Sequence, residues 1–177
     1  MPEFDFSFTH EQYQDLFDPN REGGYPGNHV AYRHVVNVLH ERKAKRLLEV
    51  GVGNGLAIPI FSGEGMDFFG FDNKPEMVSK SKTEMKKYGL SEDQVCWGDI
   101  EDSVSLSPMR NSGEFDGLVA MGVLPHVTHE RAALRNMWHL VKPGGTVFVE
   151  CRNKLFSLFT FNRFTYEFIM DDLLLDV

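Results

Sequence analysis

The chain has 177 residues, 42% of them hydrophobic, which fits one domain with enough apolar content for a real core. Its 26 acidic residues outnumber its 18 basic ones, so no overall field draws it to nucleic acid or to an anionic membrane. No stretch is long and apolar enough to span a bilayer, and the start, Met1-Pro2-Glu3-Phe4-Asp5-Phe6, has neither the basic end nor the apolar run of a signal peptide.

Residues 1–28 carry Phe4, Phe6, Phe8, Tyr13 and Phe17 among acidic and turn residues and read as an N-terminal cap on a single domain of 1–177. Apolar runs of strand length then recur at 46–50, 66–72, 94–98, 115–121 and 146–151, with helical patterns at 29–43, 74–88 and 129–140. Runs without polar alternation fit strands covered on both faces. The alternation of strand and helix predicts an α/β, doubly wound, mainly parallel sheet. Lys142-Pro143-Gly144-Gly145 is expected to break the last helix and turn the chain into the fifth strand. Lys80, Lys82, Lys86 and Lys87 read as a solvated helix face. Cys96 and Cys151 fall inside apolar runs, which predicts buried, reduced thiols, no disulfide framework and a cytoplasmic protein.

The densest signal is Glu49-Val50-Gly51-Val52-Gly53-Asn54-Gly55, directly after the first strand run. Alternating glycines suit a strand-to-helix turn where backbone approaches a ligand closely. A dinucleotide fingerprint needs glycine or alanine where this chain has Leu56, and the phosphate loop ending in Gly-Lys-Ser/Thr is absent. In an open parallel sheet, ligands sit beyond the carboxyl ends of the strands. The second strand ends at Asp72, placed to accept from both hydroxyls of a ribose or, equally, to cap the following helix. Met77, in Asp72-Asn73-Lys74-Pro75-Glu76-Met77, could lie on an adenine face or in the helix core. The third strand ends in Trp97-Gly98-Asp99-Ile100, and the fourth continues into Met121-Gly122-Val123-Leu124-Pro125-His126.

Taken in order, these features resemble the class I S-adenosylmethionine-dependent methyltransferases over about residues 25–152, and most closely their small-molecule branch. The resemblance implies that Gly51, Gly53 and Gly55 hold the methionine end of S-adenosylmethionine, with Glu49 ordering the loop. Asp72 would take the ribose with Asn73 and Met77 beside it, Asp99 and Ile100 would take the adenine, Met121 and Gly122 would line the cleft beside the sulfonium, and Tyr25 would close over it. S-adenosylhomocysteine would be the product. The Asn/Asp-Pro-Pro-aromatic element of relatives that methylate nucleobase or glutamine amides is missing after the fourth strand. A small-molecule acceptor is therefore expected, with oxygen preferred, and with neither nucleic acid nor membrane as partner.

Methyl transfer is an in-line displacement that alignment alone can accelerate. A hydroxyl acceptor must also lose its proton, and His126 is the candidate base, with packing against the acceptor as the alternative. His126 and His129 lack further ligands, so no metal site is expected. Arg152 and Asn153 follow the fifth strand where an acceptor could bind, while Phe161, Phe164 and Phe168 have the spacing of helix core or interface. Only 26 residues follow Cys151, too few for the helix and two edge strands usual in the family, so the sheet is expected to lack them. An open edge invites a partner chain or a second copy. The alternative function is accordingly a non-catalytic cofactor-binding or assembly subunit.

Overall fold

The structure, a computed structural model, describes residues 26–151, with side chains from residue 31 onward. Tyr25 and most of the expected cap lie outside the described residues, as do Arg152, Asn153, the three tail phenylalanines and the expected lack of edge strands.

The first helix, α1 (Pro26–Glu41), buries Tyr32, Val35, Val36 and Leu39, the stripe that three- and four-residue spacing produces. Strand β1 (Arg46–Val50) follows, then α2 (Ile58–Gly63), β2 (Asp67–Asp72) and α3 (Pro75–Lys87). Proline opens α3, Glu76 sits in its first turn and Lys86 and Lys87 in its last, each favoured by the helix dipole. Lys86 pairs with Glu92 and Lys87 with Glu84, as expected for a solvated face. Strand β3 (Val95–Trp97), α4 (Ser107–Asn111), β4 (Phe115–Ala120), α5 (Glu130–Leu140) and β5 (Val141–Val149) complete the described chain. Helices α2 and α4 have no counterpart in the sequence reading. They are single short turns of 6 and 5 residues, below the length at which apolar periodicity is legible.

Among the described residues all pairings are parallel and the strand order is β3-β2-β1-β4-β5, so the doubly wound expectation holds. Successive residues of a strand point to opposite faces. Leu47, Phe68 and Val119 therefore pack with α1, α2 and α3, whereas Leu48, Phe71 and Leu118 pack with α4 and α5. Lys142-Pro143-Gly144-Gly145 departs from expectation. Phe115 pairs with Val141 and Gly117 with Thr146, so these residues form a bulge inside β5 rather than a turn before it. Cys151 also departs: the strand ends at Val149, which leaves this thiol exposed, while Cys96 is half-buried and burial pushes its thiol up. Both cysteines are free.

At the amino end of the sheet, Asp116 accepts from the Lys45 and Arg46 amides and pairs with Lys142. These partners outweigh the effect of burial and hold its carboxyl down at about 2. That arrangement ties β1 to β4 and leaves the carboxyl ends of the strands to the site.

Candidate active site

The strand order reverses at β1, whose neighbours β2 and β4 are reached by connections on opposite faces of the sheet. A crevice opens there, beyond the carboxyl ends of the strands. The turn after β1 is fastened to β2, because the Gly51 and Val52 amides both donate to the Phe71 carbonyl. Its lateral position depends on Gly70: a Cβ there would stand 2.1 Å from Val52 Cγ1, so only glycine lets the turn lie against the strand. Gly53 has φ +52°, its amide donates to Asp72 Oδ2, and its carbonyl accepts from the fully buried Ser81 hydroxyl of α3.

A cavity of about 430 Å³ lies over this turn. Of the residues expected to bind the cofactor, Gly51, Gly53, Asp72, Asn73, Met77, Asp99, Ile100, Met121 and Gly122 all line it, and so does His126. Asp72 is only 8% exposed. Its Oδ1 accepts from the Lys74 amide and its Oδ2 from Gly53, so it ties two loops together. The helix cap is Lys74, not Asp72. An ionised carboxylate has about four acceptor positions, which leaves capacity for hydroxyl donors on the cavity side. Asp99 Oδ1 accepts from the Glu101 amide and shapes its own turn, while the buried Ile100 contributes an apolar wall. Met77 is half-buried on that wall, and the core face of α3 is made instead by Val78, Ser81 and Met85. His126 is exposed on the 3₁₀ turn Leu124–His126, where β4 gives way to α5.

Gly55 differs from the expectation that all three glycines face the ligand. It lines neither this cavity nor its neighbour; a Cβ there would stand 2.8 Å from Ile58 Cδ1 and 3.1 Å from Glu84 Cβ. Its place is the packing of the turn against α2 and α3.

Glu49 lines a second cavity of about 330 Å³ that shares Gly51, Gly53, Met121 and Gly122 with the first. The carboxyl is 2% exposed. Oε1 accepts from the Tyr32 hydroxyl at 2.8 Å, whereas Oε2 is buried with no partner among the described residues. Burial pushes Glu49 up to about 8; the Tyr32 hydrogen bond lowers it and the Asp72 charge raises it. Burial beside Glu49 also pushes the Tyr32 phenol up, keeping it a donor. Two carboxyl groups thus flank the glycine turn, Asp72 on one side and Glu49 on the other.

Tyr32, Gly70, Ser81 and Glu101 were not singled out from sequence. A glycine inside the strand run Phe69-Gly70-Phe71 is a readable sign of close backbone approach. The others act through contacts 17 to 28 residues away in the chain, which leave no local pattern. Among the described residues, no group of three or more His, Cys, Asp or Glu could hold a metal ion, and no helix is long and apolar enough to cross a membrane.

Residues 48–149 match the family described as "Methyltransferase domain". The Escherichia coli protein named "Ubiquinone biosynthesis O-methyltransferase" is 29% identical over 110 residues, 62% of this chain and 44% of that protein. The chain thus spans less than half the length of the curated relatives it matches. Streptomyces venezuelae DesVI superposes with a TM-score of 0.58 at 23% identity, covering 83% of this chain and 59% of that one. The methyltransferase domain of bacterial CtHen1 superposes with a TM-score of 0.62 at 19% identity, covering 79% of this chain and 74% of that one. With the parallel five-stranded sheet and the glycine turn after its central strand, this match places the chain in the class I methyltransferase family.

Proposed function

We propose that the chain carries out S-adenosylmethionine-dependent methyl transfer to a small-molecule acceptor, with oxygen as the methylated atom. The observation that carries the reading is the pair of buried carboxyl groups on either side of the glycine turn, one of which, Glu49, keeps an oxygen with no partner among the described residues. A buried oxygen of that kind costs stability unless a ligand satisfies it. The acceptor set fits a nucleoside that also carries an amino group: Asp72 accepts from ribose hydroxyls, Ile100 and Met77 cover a flat ring, and Glu49, ionised by the approach of the positive charge, accepts from an ammonium.

S-adenosylmethionine, when bound, supplies an activated methyl group, and S-adenosylhomocysteine remains. The protein's part is to bind, align and exclude water. Gly51 and Gly53 keep side chains out of the space the ligand needs, and Met121 and Gly122 border both cavities. His126, on the cavity wall, takes the proton of a hydroxyl acceptor as its oxygen attacks. Preference for oxygen is supported by the named activity of the Escherichia coli relative and by the absence of the amide-methylating element after β4. The free cysteines fit a cytoplasmic setting.

Calorimetric titration with S-adenosylhomocysteine tests the cofactor assignment, and methyl release from S-adenosylmethionine to hydroxylated small molecules tests the activity. Absence of binding to the folded protein removes both. Binding without transfer to any hydroxylated, amine or carbon acceptor favours a non-catalytic cofactor-binding or assembly subunit. That second reading draws on Trp138 and Leu134, 76% and 45% exposed one turn apart on α5, an apolar pair facing out from the helix.

A further inference from the structure

The cavity wall that would receive the adenine and the loop that carries His126 come from separate parts of the chain, yet they are joined by two sets of hydrogen bonds. The Glu101 carboxylate accepts from the Thr128 amide, 3.1 Å to each oxygen, and Oε1 also accepts from the His129 amide. Behind it, the buried Asn136 of α5 donates from Nδ2 to the Ile100 carbonyl at 2.7 Å. Thr128 and His129 lie between the His126 turn and the first turn of α5, directly after Val127. Glu101 is held in turn by its own amide, which donates to Asp99 Oδ1. Continuous hydrogen bonding therefore runs from Asp99 through Glu101 to the His126 loop, and Glu101, His126 and Asp99 all line the same cavity.

We propose that Glu101 is a positioning residue that couples occupancy of the nucleobase wall to the placement of the His126 loop, so that the acceptor side is ordered when the cofactor is bound. The inference rests on the cofactor reading of the cavity given above. Its physical basis is that a ligand packed on Asp99 and Ile100 restricts the segment bearing Glu101, and a carboxylate fixed at one end orders the amides it accepts from. The two amides hold the Glu101 carboxyl below the usual carboxylate range, Thr128 contributing most. It therefore remains an ionised acceptor at neutral pH.

The test uses the full chain and S-adenosylhomocysteine, read by calorimetry and by residue-resolved amide hydrogen exchange at Thr128 and His129. In the wild type, saturating ligand is expected to slow exchange at both amides by about tenfold. In Glu101→Ala, ligand still binds but this slowing is lost. In Glu101→Gln, which keeps Oε1 as an acceptor, most of it returns. A merely structural role for Glu101 would raise basal exchange equally with and without ligand, and that result overturns the proposal. Ligand-dependent slowing that survives in Glu101→Ala overturns it as well. Failure of the folded wild type to bind S-adenosylhomocysteine overturns the cofactor reading and this inference together, whereas binding without slowing at Thr128 and His129 overturns this inference alone.

Discussion

Tyr32→Phe removes a single hydroxyl from the floor of the second cavity. The ring stays in place against Phe61, 5.6 Å between centroids and nearly perpendicular, so no void opens. What is lost is the hydrogen bond to Glu49 Oε1, which leaves a buried carboxyl with no donor on either oxygen among the described residues. Glu49 is raised from 4.5 to about 8, so between those values the folded protein holds a proton that the unfolded chain has released. Its contribution to stability is therefore greatest below the ordinary value and is lost as pH rises to about 8. Above about pH 8 the wild-type group is ionised, and the variant then loses a charge-assisted bond of about 1.5–3 kcal/mol; at lower pH it loses a neutral one of about 1 kcal/mol. For a chain of this size each 1 kcal/mol lowers Tm by about 2–4 °C. Thermal unfolding of wild type and variant, compared at about pH 6.5 and about pH 9 so that other titrating groups cancel, should show the larger deficit at the higher pH. An equal deficit at both, or none, would refute the assignment of Glu49 as a buried, Tyr32-bonded acid.

Asp72→Asn keeps the shape but removes the charge, and should weaken S-adenosylhomocysteine binding about tenfold or more by calorimetry, with some loss of stability because Gly53 and Lys74 also donate to this group. Unchanged affinity in the folded variant sinks the ribose assignment. Gly53→Ala meets open space, its Cβ nearest to Gly51 O at 4.0 Å, so denaturant unfolding should report only the backbone cost of about 1–2 kcal/mol at φ +52°. Gly53→Val projects further into the cavity and should abolish ligand binding; wild-type affinity there shows that the turn is structural only. Gly70→Ala puts a methyl into Val52 and should cost about 1–3 kcal/mol or more, together with ligand affinity, because the turn must move; a wild-type Tm contradicts the close approach. His126→Ala should lower turnover about 10²–10⁴-fold with cofactor affinity nearly unchanged. Unchanged turnover in the folded variant, with chemistry shown to be rate-limiting, leaves alignment as the main source of acceleration.

The sheet was legible in the sequence because both faces are covered. Strands such as Arg46–Val50 and Phe115–Ala120 are mostly apolar runs without regular polar alternation, and three helices bury stripes wide enough to read. The glycine turn and Asp72 were legible for a related reason: close backbone approach at a strand end demands particular residue types at fixed distances from the strand, and spacing along the chain records that demand. Other features had no such record. Lys142-Pro143-Gly144-Gly145 contains strong turn formers, yet pairing with β4 resumes beyond it and makes it a bulge, a choice set by the partner strand. Gly55 carries the same local signature as Gly53 but faces Ile58 and Glu84, because the turn can present only one side to the cavity. Tyr32, Ser81, Glu101 and Asn136 each meet partners 17 to 36 residues away. Hydrogen bonds between such positions are products of the packed sheet and helices, so only the tertiary structure decided which carboxyl is buried, which is shared, and which loop it holds.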